Sequence, residues 1–445
     1  MPAISAHDLK LRSFIRDFRA ETAALWFLCF YIFIEYLRPQ NMYPVIDILP
    51  WGQLAIVASV VSVFLTRSRP LVFGALDKLF VVFSVIVILS SVFAWSTDAS
   101  LKDWTAYASW ILMYFCVVSV LTTPNRLLLF TIFFILINFK MSQHGVRVFA
   151  MRDFGFAHWG LSGAPGWFHN SGEFSLQMVI AFSMSLALLL ALRDQVESKI
   201  RWWILIFLFP LTAALSVMGS SSRGGQLALA TVILVLLLSG RRMWRNMAVI
   251  TVMIVAMINV LPQEQLARFD SIGEDRTSES RLLLWEHAIE TIKFNPMGIG
   301  YNNWAEYYET IYQPVRLEEI HNTILESFVD LGYPGGILFL IMIITAFVMN
   351  RRSRREALAM NTVEGRTVAA IASGLNLGLL GTFVAAVFMS VLFYPMFWLA
   401  FALTSALRHV SLHKLKEIKT HDSNRVAEKP STVSPAIPSV YNSGQ

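Results

Sequence analysis

Residues 201–240 read RWWILIFLFPLTAALSVMGSSSRGGQLALATVILVLLLSG. Two apolar runs, each near the length that carries a helix across roughly 30 Å of hydrocarbon, flank a Ser/Gly turn. Arg223, in that turn, is the only charged residue between Arg201 and Arg241. A hairpin of this kind takes lipid as its solvent, and the rest of the chain repeats it. Of the 445 residues, 56% are apolar and 15% charged, with a mean hydropathy of +0.56, far too oily for a soluble chain of this length.

The fold class that follows is an all-α integral membrane protein. Hydropathy predicts about twelve transmembrane helices, at 22–37, 50–66, 79–95, 105–121, 127–143, 173–192, 202–221, 224–239, 246–262, 332–350, 367–390 and 392–408. Residues 1–21 form an N-terminal segment, 22–262 the first nine spans, 263–331 a long loop, 332–408 the last three spans and 409–445 a tail. The charged N-terminus runs straight into a span too long for a signal-peptide core, so no removable signal peptide is expected. The tail is rich in Ser, Pro, Asn and Lys without apolar periodicity beyond Thr420, and is expected to be disordered.

Alternate connections carry the basic residues: Arg67, Arg69 and Lys78; Arg126; Arg193, Lys199 and Arg201; Arg241, Arg242 and Arg245; then Arg351, Arg352, Arg354, Arg355 and Arg366. With the basic N-terminus and Lys414, Lys416 and Lys419 they fall on one side, which the positive-inside rule makes cytoplasmic, both termini included. This scatter explains the net charge of +6 as topology, so membrane lipids are the expected partner and nucleic acid is not. Cys29 and Cys116 lie inside apolar spans, so neither a disulfide framework nor a metal site is indicated.

The two longest loops, 144–172 and 263–331, face the other side, and long loops in a compact membrane domain are usually functional. The second holds an amphipathic helix from near Ser280, with Leu283, Leu284, His287, Ala288 and Ile292 at helical spacing, stopped by Asn295-Pro296 and the Gly298/Gly300 pair. Such a helix lies in the interface or caps a cavity.

Arg223 needs a partner or a ligand at its depth, or else it snorkels to headgroups. Its guanidinium offers bidentate bonds to phosphate oxygens, and the neighbouring serines and glycines let backbone approach. Arg281 opens the amphipathic helix, and His321-Asn322 precedes the apolar stretch 323–329, with Gly332 eleven positions after the histidine. Imidazole can take a proton from a hydroxyl at neutral pH. The first long loop adds Arg147, Arg152, His158, His169 and Glu173, with Trp159 and Trp167 as interface anchors or sugar-stacking rings. The arginines there suit anions, and Glu173 suits an acceptor group.

Three elements together resemble the O-antigen ligase and O-antigen polymerase superfamily, which also includes bacterial oligosaccharyltransferases that glycosylate pilins. They are Ser222-Arg223-Gly224-Gly225 with Leu227, the stretch Ser280-Arg281, Trp285 and Asn295-Pro296-Met297-Gly298-Ile299-Gly300, and His321 with Gly332. Arg38-Pro39-Gln40 fits the family's usual opening, and the resemblance covers roughly residues 22–410. It implies a GT-C-like inner-membrane glycosyltransferase with a periplasmic loop of short amphipathic helices. The implied donor is an undecaprenyl-diphosphate-linked glycan, the acceptor a hydroxyl on lipid A-core or another glycan, and the anomeric centre is inverted. Carried over, Arg223 and Arg281 hold the diphosphate and His321 is the base. Arg147, Arg152, His169, Glu173 and Asn322 are expected to bind substrate, with no cofactor and no metal. A glycolipid flippase or transporter is the competing class, but it would place ionisable groups at mid-membrane and show repeat symmetry.

Overall fold

The computed structural model describes residues 11–66, 73–155, 160–196, 198–239 and 276–427. Every ordered element among them is helical, as lipid demands, because a helix satisfies its own backbone N–H and C=O groups. In chain order, those of eight residues or more are α1 (Leu11–Arg19), α2 (Ala23–Leu37), α3 (Trp51–Leu65), α4 (Ala75–Val92), α5 (Trp104–Val120), α6 (Pro124–Met151) and α7 (Ser171–Ala191), followed by α8 (Lys199–Gly219) and α9 (Arg223–Leu238). After the undescribed stretch come α10 (Arg276–Phe294), α11 (Trp304–Tyr312), α12 (Thr323–Ala359), α13 (Val363–Ala386) and α14 (Pro395–Ala427).

Each expected span has a helix at its position, except 246–262, which lies outside the described residues along with His158 and Trp159. Six helices, α4, α6, α7, α8, α12 and α13, are long and apolar enough to cross a membrane, and α3, α5 and α9 are apolar but shorter. The described residues therefore carry fewer full-length spans than twelve. The reason is geometric: at about 1.5 Å per residue, the 15 residues of α2 or α3 fall short of a hydrocarbon core of roughly 30 Å. The chain is a multi-pass membrane protein, and its last helix continues to Ala427, past the start of the expected tail.

α7 and α13 form the centre of the bundle and pack along each other, with α12, α9 and α6 around them. Close approach is possible because α13 presents glycines: a Cβ on Gly374 would sit 3.0 Å from the Met184 Cα, and one on Gly381 would sit 2.5 Å from Val179 Cγ1. Small residues at an interface let helices gain dispersion contact where lipid removes the hydrophobic drive. Buried polar side chains pair with one another inside the bundle, as where Gln177 Nε2 donates to Asn138 Oδ1 at 2.7 Å and Asn350 Nδ2 to Thr404 Oγ1 at 3.0 Å. At one end, Arg366 pairs with Asp194 and Lys414 with Glu364. These contacts gather connections that the charge pattern placed on a single side.

At the other end a second apolar cluster, separate from the bundle core, joins Leu284, Ala288 and Ile292 of α10 to Trp304, Tyr307 and Tyr308 of α11 and to Val329 at the start of α12. The expected amphipathic helix is thus present, with Leu284, Ala288 and Ile292 as its buried stripe and Leu283 half exposed. It caps the end of the chain's own helices. α12 bends where the sequence ends its loop: Gly332 has φ +65°, ψ −171° inside the helix, a conformation that favours glycine.

Candidate functional site

The backbone leading to His321 is gripped from two helices. Trp285 of α10 donates its indole N–H to the Ile320 carbonyl at 3.0 Å, and Trp304 of α11 donates to the Glu318 carbonyl at 3.1 Å. Ser280 Oγ donates to Glu318 Oε2 at 2.6 Å, one residue before Arg281. His321 has φ +52°, a left-handed conformation that a non-glycine residue holds only when its surroundings determine it. Its backbone N–H donates to Ser390 Oγ at 3.0 Å.

Ser390 belongs to the stretch 387–394, where the chain leaves the helix between α13 and α14. Three other elements meet the same stretch. Thr323 Oγ1, at the first position of α12, donates to the Met389 carbonyl at 2.6 Å and accepts from the Val391 N–H at 3.0 Å, and Glu326 Oε2 accepts from the Leu392 N–H at 3.2 Å. A Cβ on Gly224 would lie 3.2 Å from Met389 Cε, and one on Gly172 would lie 3.3 Å from it. The N-termini of α9, which begins at Arg223, and α7, which carries Glu173, therefore lean on the segment that holds His321.

Arg281 stands close enough to His321 for its charge to act on the imidazole. Burial first, then the Arg281 charge, lowers the His321 pKa below its ordinary value of 6.5, with Glu318 pulling the other way. At pH 7 the ring is neutral, with one nitrogen able to accept a proton. Arg223 is exposed at the start of α9, where the Ser222 hydroxyl caps the helix by accepting from the Gly225 N–H. Glu173 is 5% exposed, and its Oε2 has no hydrogen-bond partner. His169 acts on the carboxyl of Glu319, which burial raises above the usual carboxylate range and His169 pulls back. His169 Nδ1 also lies 2.5 Å from the Gly166 carbonyl.

Three expected residues sit differently. Asn322 is the N-cap of α12, its Oδ1 accepting from the N–H groups of Ile324 and Leu325 at 3.0 and 3.1 Å, so its oxygen is committed to the helix. Arg147 is exposed on α6 with its Nη2 3.5 Å from His144 Nδ1. Arg152 is exposed at the C-terminus of that helix. No contact in the described residues brings Arg147 to His321.

The O-antigen ligase family profile matches residues 208–340, a stretch that contains Arg223, Arg281, His321 and Gly332. The matched stretch supports a likeness to the O-antigen ligase and polymerase superfamily. The chain is also similar to the exopolysaccharide production protein ExoQ of Rhizobium meliloti, at 33% identity over 89 residues. That match covers 17% of this chain and 20% of the relative, so it spans about a fifth of the relative's length.

The superfamily match ends at residue 340, yet the site depends on Met389, Ser390 and Leu392 beyond it. Sequence reading missed this segment because Val387, Phe388, Met389, Val391, Leu392 and Phe393 are as apolar as the spans beside them. The one local signal was Ser390 followed by Pro395, a helix-starting proline at the first position of α14. Glu326 and Glu319 were also missed, since they sit in or beside stretches read only as apolar or as loop.

Proposed function

We propose that this chain is an O-antigen ligase-like inverting glycosyltransferase that moves a glycan from undecaprenyl diphosphate to an acceptor hydroxyl, with lipid A-core as the acceptor. The observation that carries the reading is His321 held on a loop fixed to the segment that also supports the start of the Arg223 helix, its imidazole kept neutral by burial and by the charge of Arg281. A neutral base within the field of a cation suits a reaction in which an O–H loses its proton while an anionic group departs.

In this mechanism His321 accepts the proton of the acceptor hydroxyl as its oxygen forms a bond to the anomeric carbon. The bond from that carbon to the diphosphate oxygen breaks, and the electron pair leaves with undecaprenyl diphosphate. Attack from the face opposite the leaving group inverts the centre. Arg223 and Arg281 bind the diphosphate and stabilise its growing charge, an electrostatic effect that strengthens where water is scarce. Glu173, half of whose carboxylate has no protein partner, and His169 orient the acceptor, Asn322 fixes the loop through its cap, and Arg147 and Arg152 meet the outer part of the glycan. The transfer needs no metal. The site faces the periplasm, with both termini on the cytoplasmic side of the inner membrane.

A second reading within the superfamily is a polymerase, whose acceptor is another lipid-linked repeat. The similarity to a protein named for exopolysaccharide production favours it. Deleting the gene separates the two. Unattached lipid-linked polymer accumulates if a ligase is lost, single repeats attached to core appear if a polymerase is lost, and an unchanged glycan profile contradicts both.

A further inference from the structure

Against the segment that anchors His321 lies a polar cleft of about 300 Å³, lined by Glu35, Arg38, Gln40, Asp47, Trp51 and Trp167 among others. Its composition is unlike that of a lipid groove. Side-chain amides and carboxylates ring the space, with the indoles of Trp51, Trp110 and Trp167 in its walls. Flat apolar faces next to groups that both donate and accept hydrogen bonds match a pyranose, which has an apolar ring face and an edge of hydroxyls.

The cleft is built and held in shape. The Arg38 guanidinium is fixed between the Glu35 carboxylate, 3.1 Å from Nη2, and the Trp167 ring, 5.1 Å from Cζ to the centroid. The Trp167 indole N–H donates to Glu35 Oε1 in turn. Gly166, at φ +90°, makes room for this, since a Cβ there would lie 2.5 Å from Arg38 Nη1. The Gln40 Oε1 atom is buried without a hydrogen-bond partner, and a buried amide oxygen left unpaired is destabilising until something fills the need. The volume is at the small end of ligand sites, roughly 300–1,000 Å³, enough for a short piece of sugar chain.

The cleft also connects to the reaction site. Trp167 meets Tyr394 at 5.1 Å between ring centroids, and Trp110 donates its indole N–H to the Phe393 carbonyl at 3.3 Å. Both contacts fall on the segment that anchors His321. We propose that this cleft is a glycan subsite, binding a sugar unit of the substrate chain away from the reacting bond. The inference rests on the transfer reading and names where the sugar chain runs. Remote contacts of this kind raise turnover by positioning the reacting end.

The test is direct binding to the full-length protein in lipid nanodiscs by saturation-transfer NMR. Two probes are used: the repeat oligosaccharide released by mild acid from the host's lipid-linked glycan, and the delipidated core oligosaccharide of its lipopolysaccharide. The wild type is expected to bind one of them, and the one it binds tells donor from acceptor. Gln40→Ala and Asp47→Asn, neither in the Arg38–Glu35–Trp167 clamp, should each weaken that binding at least tenfold without shifting the thermal midpoint. His321→Ala should bind as the wild type does. A wild type that binds neither oligosaccharide, or variants that bind with undiminished affinity, overturns the subsite. Because binding is read without turnover, a chain that binds the oligosaccharide yet transfers nothing would refute the transfer reading and leave the subsite standing.

Discussion

At the scale of single residues, the pair His321 and Arg281 has a measurable consequence. Burial and the neighbouring cation both disfavour the imidazolium, so the base is neutral at pH 7 and is lost only as pH falls through a value below 6.5. The pH profile of kcat/KM is therefore expected to be level near neutrality with its acid limb below 6.5. Arg281→Gln removes the like charge and lets the imidazole hold its proton to higher pH, so the limb moves to the alkaline side. Arg281→Lys keeps the charge and leaves the limb in place. A limb that stays in place in Arg281→Gln would remove His321 from the role of base. These residues were legible because each breaks a local pattern: Arg223 is a charge between two charge-free runs, and His321 is an ionisable ring at the edge of an apolar one. Asn322 was legible as a polar residue in that place. Its use as a helix cap depends on where α12 begins, which the apolar pattern blurred.

At the scale of elements, the pair of short motifs with glycines is explained by one contact. Gly298 and Gly332, at φ +86° and +65°, lie back to back. Ile299 N–H donates to the Val329 carbonyl at 2.9 Å, Gly300 N–H to the Asp330 carbonyl at 3.0 Å, and Tyr333 N–H to the Pro296 carbonyl at 2.9 Å. This clasp ties the end of α10, which carries Arg281, to the bend of α12, which follows His321. A Cβ on Gly332 would sit 2.3 Å from the Met297 carbonyl carbon, so Gly332→Ala adds both strain at positive φ and overlap with backbone. A loss of about 2–5 kcal/mol, read as a large drop in thermal midpoint in detergent, is expected. A milder change probes positioning: Trp285→Phe deletes the bond to the Ile320 carbonyl while keeping the ring. It should lower kcat by loosening the His321 loop, with a stability loss of no more than about 1–3 kcal/mol; an unchanged kcat would show that this bond does not position His321. Helix positions could be read from sequence because hydropathy alone governs insertion. The non-helical stretch 387–394 could not, because most of its residues are apolar and its partners, Thr323, Glu326 and His321 some 66–69 positions away and Trp110 farther still, are distant in sequence.

At the scale of the whole molecule, a helical bundle carries at one end a helical cap with its own apolar cluster and at the other the ion pairs of basic connections. The proposed orientation, in which the charge pattern puts the paired end on the cytoplasmic side, can be tested by labelling. Cys29 and Cys116 are both free and buried, so they give little background to thiol labelling. Asp47→Cys, at the cap end and exposed, should react with a membrane-impermeant maleimide in cells with a permeabilised outer membrane, whereas Arg355→Cys should react only after lysis. The reverse pattern would invert the topology. The central claim is that Arg223 and His321 carry out glycan transfer, and it is tested most directly with purified protein, lipid-linked donor and acceptor in vitro. Arg223→Ala and His321→Ala, inserted and folded like the wild type, should each lose transfer by about 100-fold or more. Transfer at the wild-type rate by either variant would contradict the assignment.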